Sequence, residues 1–402
     1  MTGLADIAAA GRRLLARSGA TPPPVWDLRT DADTVTDDPL ALHHAKHLTL
    51  MRAYQGRYIL LPSAAPSGSM VERLRRHYDP VEMAHLESLR HGLETELSVP
   101  RATAARAATK GRDWEVYANA LKADVRAQAE NPFVAYLRES PQRDAHYRQF
   151  LLQSSADLLA EASASALGVV GEFGPAQSAL FRILIDEFGY GTHVKKHSVL
   201  YRAVMRDFGL PEDYNACWPL FDTAALELHN AIHYLFQNPA NFFLQVGFLL
   251  FAETAYQRST QDHFRYLREF HPEADARYFG EHAHIDLHHT AMIIDEVAAP
   301  LVATYGADVG AEIVAGAEYT RAAFDRAGAH MLATAHAFDL AVAVGDATAA
   351  APDLTNLGAA VTTAGAAALA PDERLQVGGL GTVAARAFPR FPTLAQARRA
   401  TG

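Results

Sequence analysis

His282-Ala-His-Ile-Asp286-Leu-His-His289 is the stretch on which the reading of this chain turns. On an α-helix each residue advances by about 100°, so His282, Asp286 and His289 fall at about 0°, 40° and 340°. One stripe roughly 60° wide then carries two imidazoles and a carboxylate, while His284 and His288 fall near 200° and 240°, on the opposite face. Imidazole nitrogen and carboxylate oxygen both ligate divalent first-row metals. The competing reading of the same residues is a histidine-rich helix facing solvent.

The rest of the chain supports an all-helical setting. Few windows alternate apolar and polar residues, and the Asn-Gly and Asp-Gly hairpin turns are absent. Helical patterns predict helices over about 38–61, 80–97, 113–129, 145–166, 175–188, 194–208, 223–236, 241–258, 263–270, 275–302 and 309–344. Pro175 opens one of these near its first turn, and Gly209-Leu210-Pro211 stops another. Phe242 to Ala252 (FFLQVGFLLFA) is the most apolar run, too short for a membrane span and followed at once by Glu253. It reads as a buried core helix, and Tyr234, Phe236, Phe242 and Phe243 read as core side chains.

Two further pieces carry metal-binding chemistry. In Glu187-Phe-Gly-Tyr-Gly-Thr-His-Val-Lys-Lys-His197 a straight helix would hold Glu187 and His197 about 15 Å apart. Gly189 and Gly191 allow the chain to bend there, which would bring the two side chains together, with His193 as the competing ligand. Glu161 follows an apolar stripe of Phe150, Leu151, Leu158 and Leu159, where a carboxylate is costly to bury unless it is paired or bound to a metal. Asp157, one turn earlier, is its rival. Three carboxylates and three histidines on separate helices are how helical bundles build two-metal centres. Glu253, within an apolar helix, is a candidate for positioning a substrate ammonium, with Arg258 nearby. Its alternatives are a helix-internal pair with Arg258 or a contact to a metal-bound histidine.

Composition narrows the class. The 402 residues are 49% hydrophobic and 20% charged, with a formal net charge of -10, and no lysine- and arginine-rich stripe of the kind that binds nucleic acid. The single cysteine, Cys217, excludes an intrachain disulfide and a thiolate-bound cluster, which fits a reducing cytoplasm. The N-terminus (MTGLADIAAAGRRLLARSGATPPP) lacks the pattern of a secretory signal. From about Asp346 the chain turns rich in Ala, Gly and Thr. The expected organisation is therefore a helical N-terminal extension (1–140), a core (141–345) and an Ala/Gly-rich appendage (346–402).

The order Glu161, then Glu187 and His197 around a glycine-containing break, then His282, Asp286 and His289, resembles the heme-oxygenase-like diiron oxidases and oxygenases. Ile185-Asp-Glu-Phe-Gly-Tyr-Gly, the run from His197 to Leu210 and Tyr278-Phe before the His/Asp/His stripe carry the same resemblance, over roughly residues 145 to 305. It implies an all-α, heme-oxygenase-like bundle without heme. It also implies two Fe(II) ions, in preference to manganese, held by Glu161, Glu187, His197, His282, Asp286 and His289, with O2 as co-substrate. The implied reaction is oxidation of a small amino-acid-derived or amine-bearing substrate, by N-oxygenation or by aliphatic cleavage or desaturation, in specialised biosynthesis. A homodimer and an external electron donor are expected with it. The rival readings are a cofactor-free or thiamin-salvage-type enzyme of the same fold, which lacks the full ligand set, and a non-enzymic helical scaffold that binds a partner.

Overall fold

The computed structural model describes residues 39–61, 69–127, 129–214, 217 and 220–350, and among them there is no strand. The helices are α1 Pro39–Gln55, α2 Met70–His77, α3 Pro80–Leu97, α4 Val99–Ala108, α5 Trp114–Ala127, α6 Pro132–Glu139, α7 Arg143–Leu158 and α8 Ser163–Leu167. They continue as α9 Pro175–Glu187, α10 His197–Asp207, α11 Thr223–Phe236, α12 Phe242–Phe270, α13 Arg277–Met292, α14 Ala299–Tyr305 and α15 Ala307–Ala350. A π-helical turn, Ile293–Ala298, joins α13 to α14. Local chemistry sets several starts. Asn131 accepts from the amides of Phe133 and Val134 ahead of Pro132, and Asp222 accepts from the amide of Ala225, so both satisfy helix-terminal donors that have no partner inside the helix.

The long helix α12 organises the molecule, packed along α13 on one side and α15 on the other. Its apolar N-terminal half is buried, with Leu244, Val246 and Leu250 inaccessible to solvent. Tyr234 and Phe236 lie in the same core, with Phe242 and Phe243 packed against it. Where α12 meets α15 the contact runs through glycines: a Cβ on Gly247 would stand 2.0 Å from the Ile313 carbonyl oxygen, and one on Gly316 2.1 Å from that of Leu244. The backbones themselves touch there. Leu50, Tyr54, Leu89, Leu93 and Trp114 of the N-terminal helices share this core with α11, α12 and α15. The appendage expected from residue 346 lies, from 351 onward, outside the described residues.

Among the boundaries that differ from the sequence expectation, three bear on the core and the site. The two helices expected over 241–258 and 263–270 are one, because Ser259 and Asp262 in the polar stretch between them are held by tertiary contacts: Asn131 donates its side-chain amide to Ser259 and its backbone amide to Asp262. The helix expected over 145–166 instead breaks after Leu158, with Ala162 at φ 63. The helix expected over 275–302 loosens into the π-turn, which keeps Ile293, Ile294, Val297 and Ala298 facing the core. No described helix is long and apolar enough to cross a membrane.

Buried histidines make parts of this core acid-sensitive. His263 is stacked between Phe150 (ring centroids 4.3 Å apart) and Phe279 (5.2 Å), and burial pushes its imidazole down to about 3. A group whose folded value lies below its unfolded one contributes its full stability above the unfolded value, here 6.5, and loses it as pH falls towards 3. His263→Phe keeps the stack and removes the titration. Its stability relative to the parent chain should therefore rise by about 1.4 kcal/mol per pH unit between about pH 6 and 4, read as the difference between the two melting curves. A difference independent of pH would show that His263 is not held neutral.

Candidate metal centre

Helix α13 presents His282, Asp286 and His289 on its buried face, at 5%, 0% and 0% exposure, while His284 and His288 are exposed. The helical phase sorts these residues because α13 lies with one side against α12. The His282 Nδ1 lies 3.0 Å from the Tyr278 carbonyl oxygen. Donation to that carbonyl fixes the tautomer and leaves the Nε2 lone pair facing the interior.

Helix α9 ends at Glu187, and the chain turns through two short 3-10 segments before α10 begins at His197. Gly189 (φ 66) and Gly191 (φ 74) take left-handed conformations, and so does Tyr190 (φ 55) between them. A Cβ on Gly189 would stand 2.4 Å from the Lys196 amide nitrogen, so only glycine permits this fold-back. It brings His197 Nδ1 to 2.7 Å from Glu187 Oε2. His193 stays exposed on the second turn and takes no part.

Glu161 stands in the break between α7 and α8, so no regular helix holds it. It accepts a hydrogen bond from the Tyr278 hydroxyl (2.7 Å) and lies 3.3 Å from His282 Nε2. Glu161, Glu187, His197 and His282 converge as one group whose ligand atoms lie within 4.8 Å of one another, and Glu253, Asp286 and His289 form a second. Glu187 faces both: its Oε2 lies 3.9 Å from His282 Nε2, and its Oε1 3.7 Å from His289 Nδ1. Glu253 reaches His289 Nδ1 at 3.0 Å, while Asp186 stands 3.2 Å from the ring's other nitrogen.

The arrangement narrows the readings of Glu253 and Arg258. Glu253 stands in the second group beside His289, making the histidine contact that was one of its three alternatives. Arg258 points elsewhere, pairing with Asp262 at 3.3 Å. Asp157 lies outside both groups. It lines a cavity of about 80 Å³ that also receives Glu161, Glu187, Glu253, His282 and Asp286. Asp186 was not singled out by sequence. Its adjacency to Glu187 at the end of α9 was the available signal, but the contact depends on where α13 lies.

The electrostatics are those of a site built for cations. Burial pushes the Asp286 carboxyl well above its usual range, only partly opposed by His282. Burial also opposes charge on His282 and His289, yet the carboxylates outweigh it, led by Glu161 for His282 and Glu253 for His289, which rises to about 10. Burial likewise works against the Glu187 carboxylate, and His197 overcomes it and holds the group low. Glu161 Oε2 and both Asp286 oxygens are buried without a hydrogen-bond partner, and His197 Nδ1 and His282 Nε2 converge to 3.1 Å. Orphaned carboxylate oxygens and facing imidazole nitrogens are costly alone and satisfied together by divalent cations, so the residues fit a two-metal centre. A third group, His43, His47 and Glu227, fits less well. Arg101 (2.8 Å) and Arg326 (3.7 Å) already face Glu227 there.

Residues 148–325 match the family model described as iron-containing redox enzyme. Over 276 residues the chain is 33% identical to a nitrosourea synthase of Streptomyces achromogenes subsp. streptozoticus. That match covers 68% of this chain and 58% of the relative.

Proposed function

Since residues 148–325 belong to the iron-containing redox enzyme family, on an all-helical, heme-oxygenase-like fold, we propose that this chain is a non-heme diiron oxygenase or oxidase acting on a small amine-bearing substrate in specialised biosynthesis. Glu161, Glu187, His197 and His282 would hold one iron, and Glu253, Asp286 and His289 the other, within the core taken as residues 141–345. The observation that carries this reading is Glu187, whose two oxygens face the two groups separately. A carboxylate so placed could serve two cations. Four carboxylates, Glu161, Glu187, Glu253 and Asp286, balance the charge of two ferrous ions.

A ferrous pair bound here supplies the reduction and activation of O2, with an external electron donor completing turnover. The chain's own residues prepare the site. The Tyr278 carbonyl and hydroxyl hold His282 and Glu161, and Asp186 holds His289 from its outer nitrogen. Such partners orient ligands and raise their basicity. Leu180, Ile183, Phe248 and Leu249 line the cavity beside the carboxylates. N-oxygenation is favoured among the reactions of this class because the relative's name is that of an enzyme making a nitrosourea, a product oxidised at nitrogen.

The test is metal content. Protein loaded anaerobically with Fe(II) and desalted should retain about two irons per chain and consume O2 when mixed with it. Fewer than one iron, with no O2 uptake, would remove the reading.

A further inference from the structure

Asp157 is a carboxylate that the two-metal centre leaves over. It sits on the last turn of α7, four residues before Glu161, and lines the same cavity. Burial, together with the nearby Glu161 charge, pushes its carboxyl up to about 7. No lysine or arginine lines the cavity. Four carboxylates would balance two divalent ions, so Asp157 stands as a fifth acid on a wall that holds no lysine or arginine to offset it when it ionises. Asp157 is half-buried in the cavity wall, where an ionised acid is costly to keep, and the cost falls when a cationic ligand lies against it.

A second polar group points to the same ligand space. Gln245 on α12 lines the cavity at 3% exposure, and its Nε2 has no hydrogen-bond partner. Its carboxamide lies on the bare backbone of Gly168, where a Cβ would stand 1.9 Å from Nε2. A side chain at 168 would expel the amide, so the missing one makes the place for Gln245. The cavity wall thus offers an acid and an amide on an otherwise largely aliphatic lining, beside the proposed iron ligands.

Resting on the diiron reading, we propose that Asp157 is the counter-ion for the substrate, and that the substrate enters as a monocation, an amine or guanidine on a compact aliphatic body, with no free carboxylate in the cavity and a polar atom against Gln245. Asp157 then determines specificity by charge. An anionic group would face Asp157 with no cationic side chain to receive it, and a neutral isostere would leave Asp157 unpaired.

The test uses the full chain, loaded anaerobically with Fe(II) and titrated with n-butylamine and n-butylguanidine against n-butanol and butyrate, with affinities from calorimetry or ligand-observed NMR. The two cations should bind at least about tenfold more tightly than butanol or butyrate. Asp157→Asn should cost the cations about 30-fold in Kd while leaving butanol binding and the iron count as they are. Butyrate binding as tightly as butylamine, or an unchanged amine Kd in the variant, would overturn the proposal. Should the variant fail to fold, the four-ligand series on the parent chain decides alone. Iron counted on the same samples separates the two readings. A cation preference lost in Asp157→Asn on a chain holding less than one iron keeps this subsite and removes the diiron centre. About two irons without a cation preference does the reverse.

Discussion

Glu187→Gln is expected to drop retained iron from about two per chain to fewer than one, and O2 uptake with it. The substitution keeps the shape of the side chain and removes one negative charge and one would-be ligand oxygen from a residue that faces both groups. His197 Nδ1 at 2.7 Å, His282 Nε2 at 3.9 Å and His289 Nδ1 at 3.7 Å all look onto this carboxylate. An amide presents a single neutral acceptor, and its NH2 would face the metal that the lost oxygen would have held. Loss of a supporting partner alone typically costs 10–100-fold in metal affinity, so loss of a shared ligand should exceed about 100-fold. The melting curve of the iron-free variant serves as the folding control. A folded Glu187→Gln protein that keeps two irons would show that Glu187 does not bridge them.

Gly316→Val should be strongly destabilising, as a change at Gly247 in the same α12–α15 contact should be. A Cβ at 316 meets the Leu244 carbonyl oxygen at 2.1 Å and the Leu244 Cα at 2.6 Å, both rigid backbone atoms of the facing helix. Neither can move without shifting α12, so the helices must separate. Overpacking of this kind costs about 3 kcal/mol, which corresponds to roughly 6–12 °C in Tm for a domain of 150–250 residues. Because α12 also carries Glu253 and Gln245, iron retention should weaken in the same variant. Gly328→Ala on the same helix is the control. Nothing lies within 4 Å of a Cβ there, and the better helix propensity of alanine should leave Tm unchanged or raise stability by up to about 1 kcal/mol. Equal Tm losses in both variants would mean that the close approach at Gly316 is not what limits stability.

The legible part of the site was its local part. Along α13 one fixed angle per residue sorts five polar side chains into a buried set and an exposed set, and the fold buries the three that share a stripe. The fold-back after Glu187 was readable as a permission, since Gly189 and Gly191 allow it. What the string of residues could not supply was its direction, which follows from the left-handed values at Gly189, Tyr190 and Gly191 taken in succession. The break beside Glu161 had no such signal. Ala162 is an ordinary helix former, and its φ of 63 is imposed by the surroundings.

Glu253 marks where reading by sequence stops. Its helix was apparent, but whether it met Arg258, a substrate or a histidine depended on a contact spanning 36 residues. The sequence by itself determined an all-helical chain, a stripe of His282, Asp286 and His289, and the kinds of ligand at hand, because helical phase and side-chain chemistry act over a few residues. Only the tertiary structure decided that Glu187 stands between two groups, that Glu253 completes the second, that Arg258 turns away and that Asp157 falls outside both groups on the cavity wall. Those outcomes depend on how closely α7, α9, α12 and α13 approach. That distance is set by glycine contacts and core packing summed over the whole bundle, and no single segment encodes it.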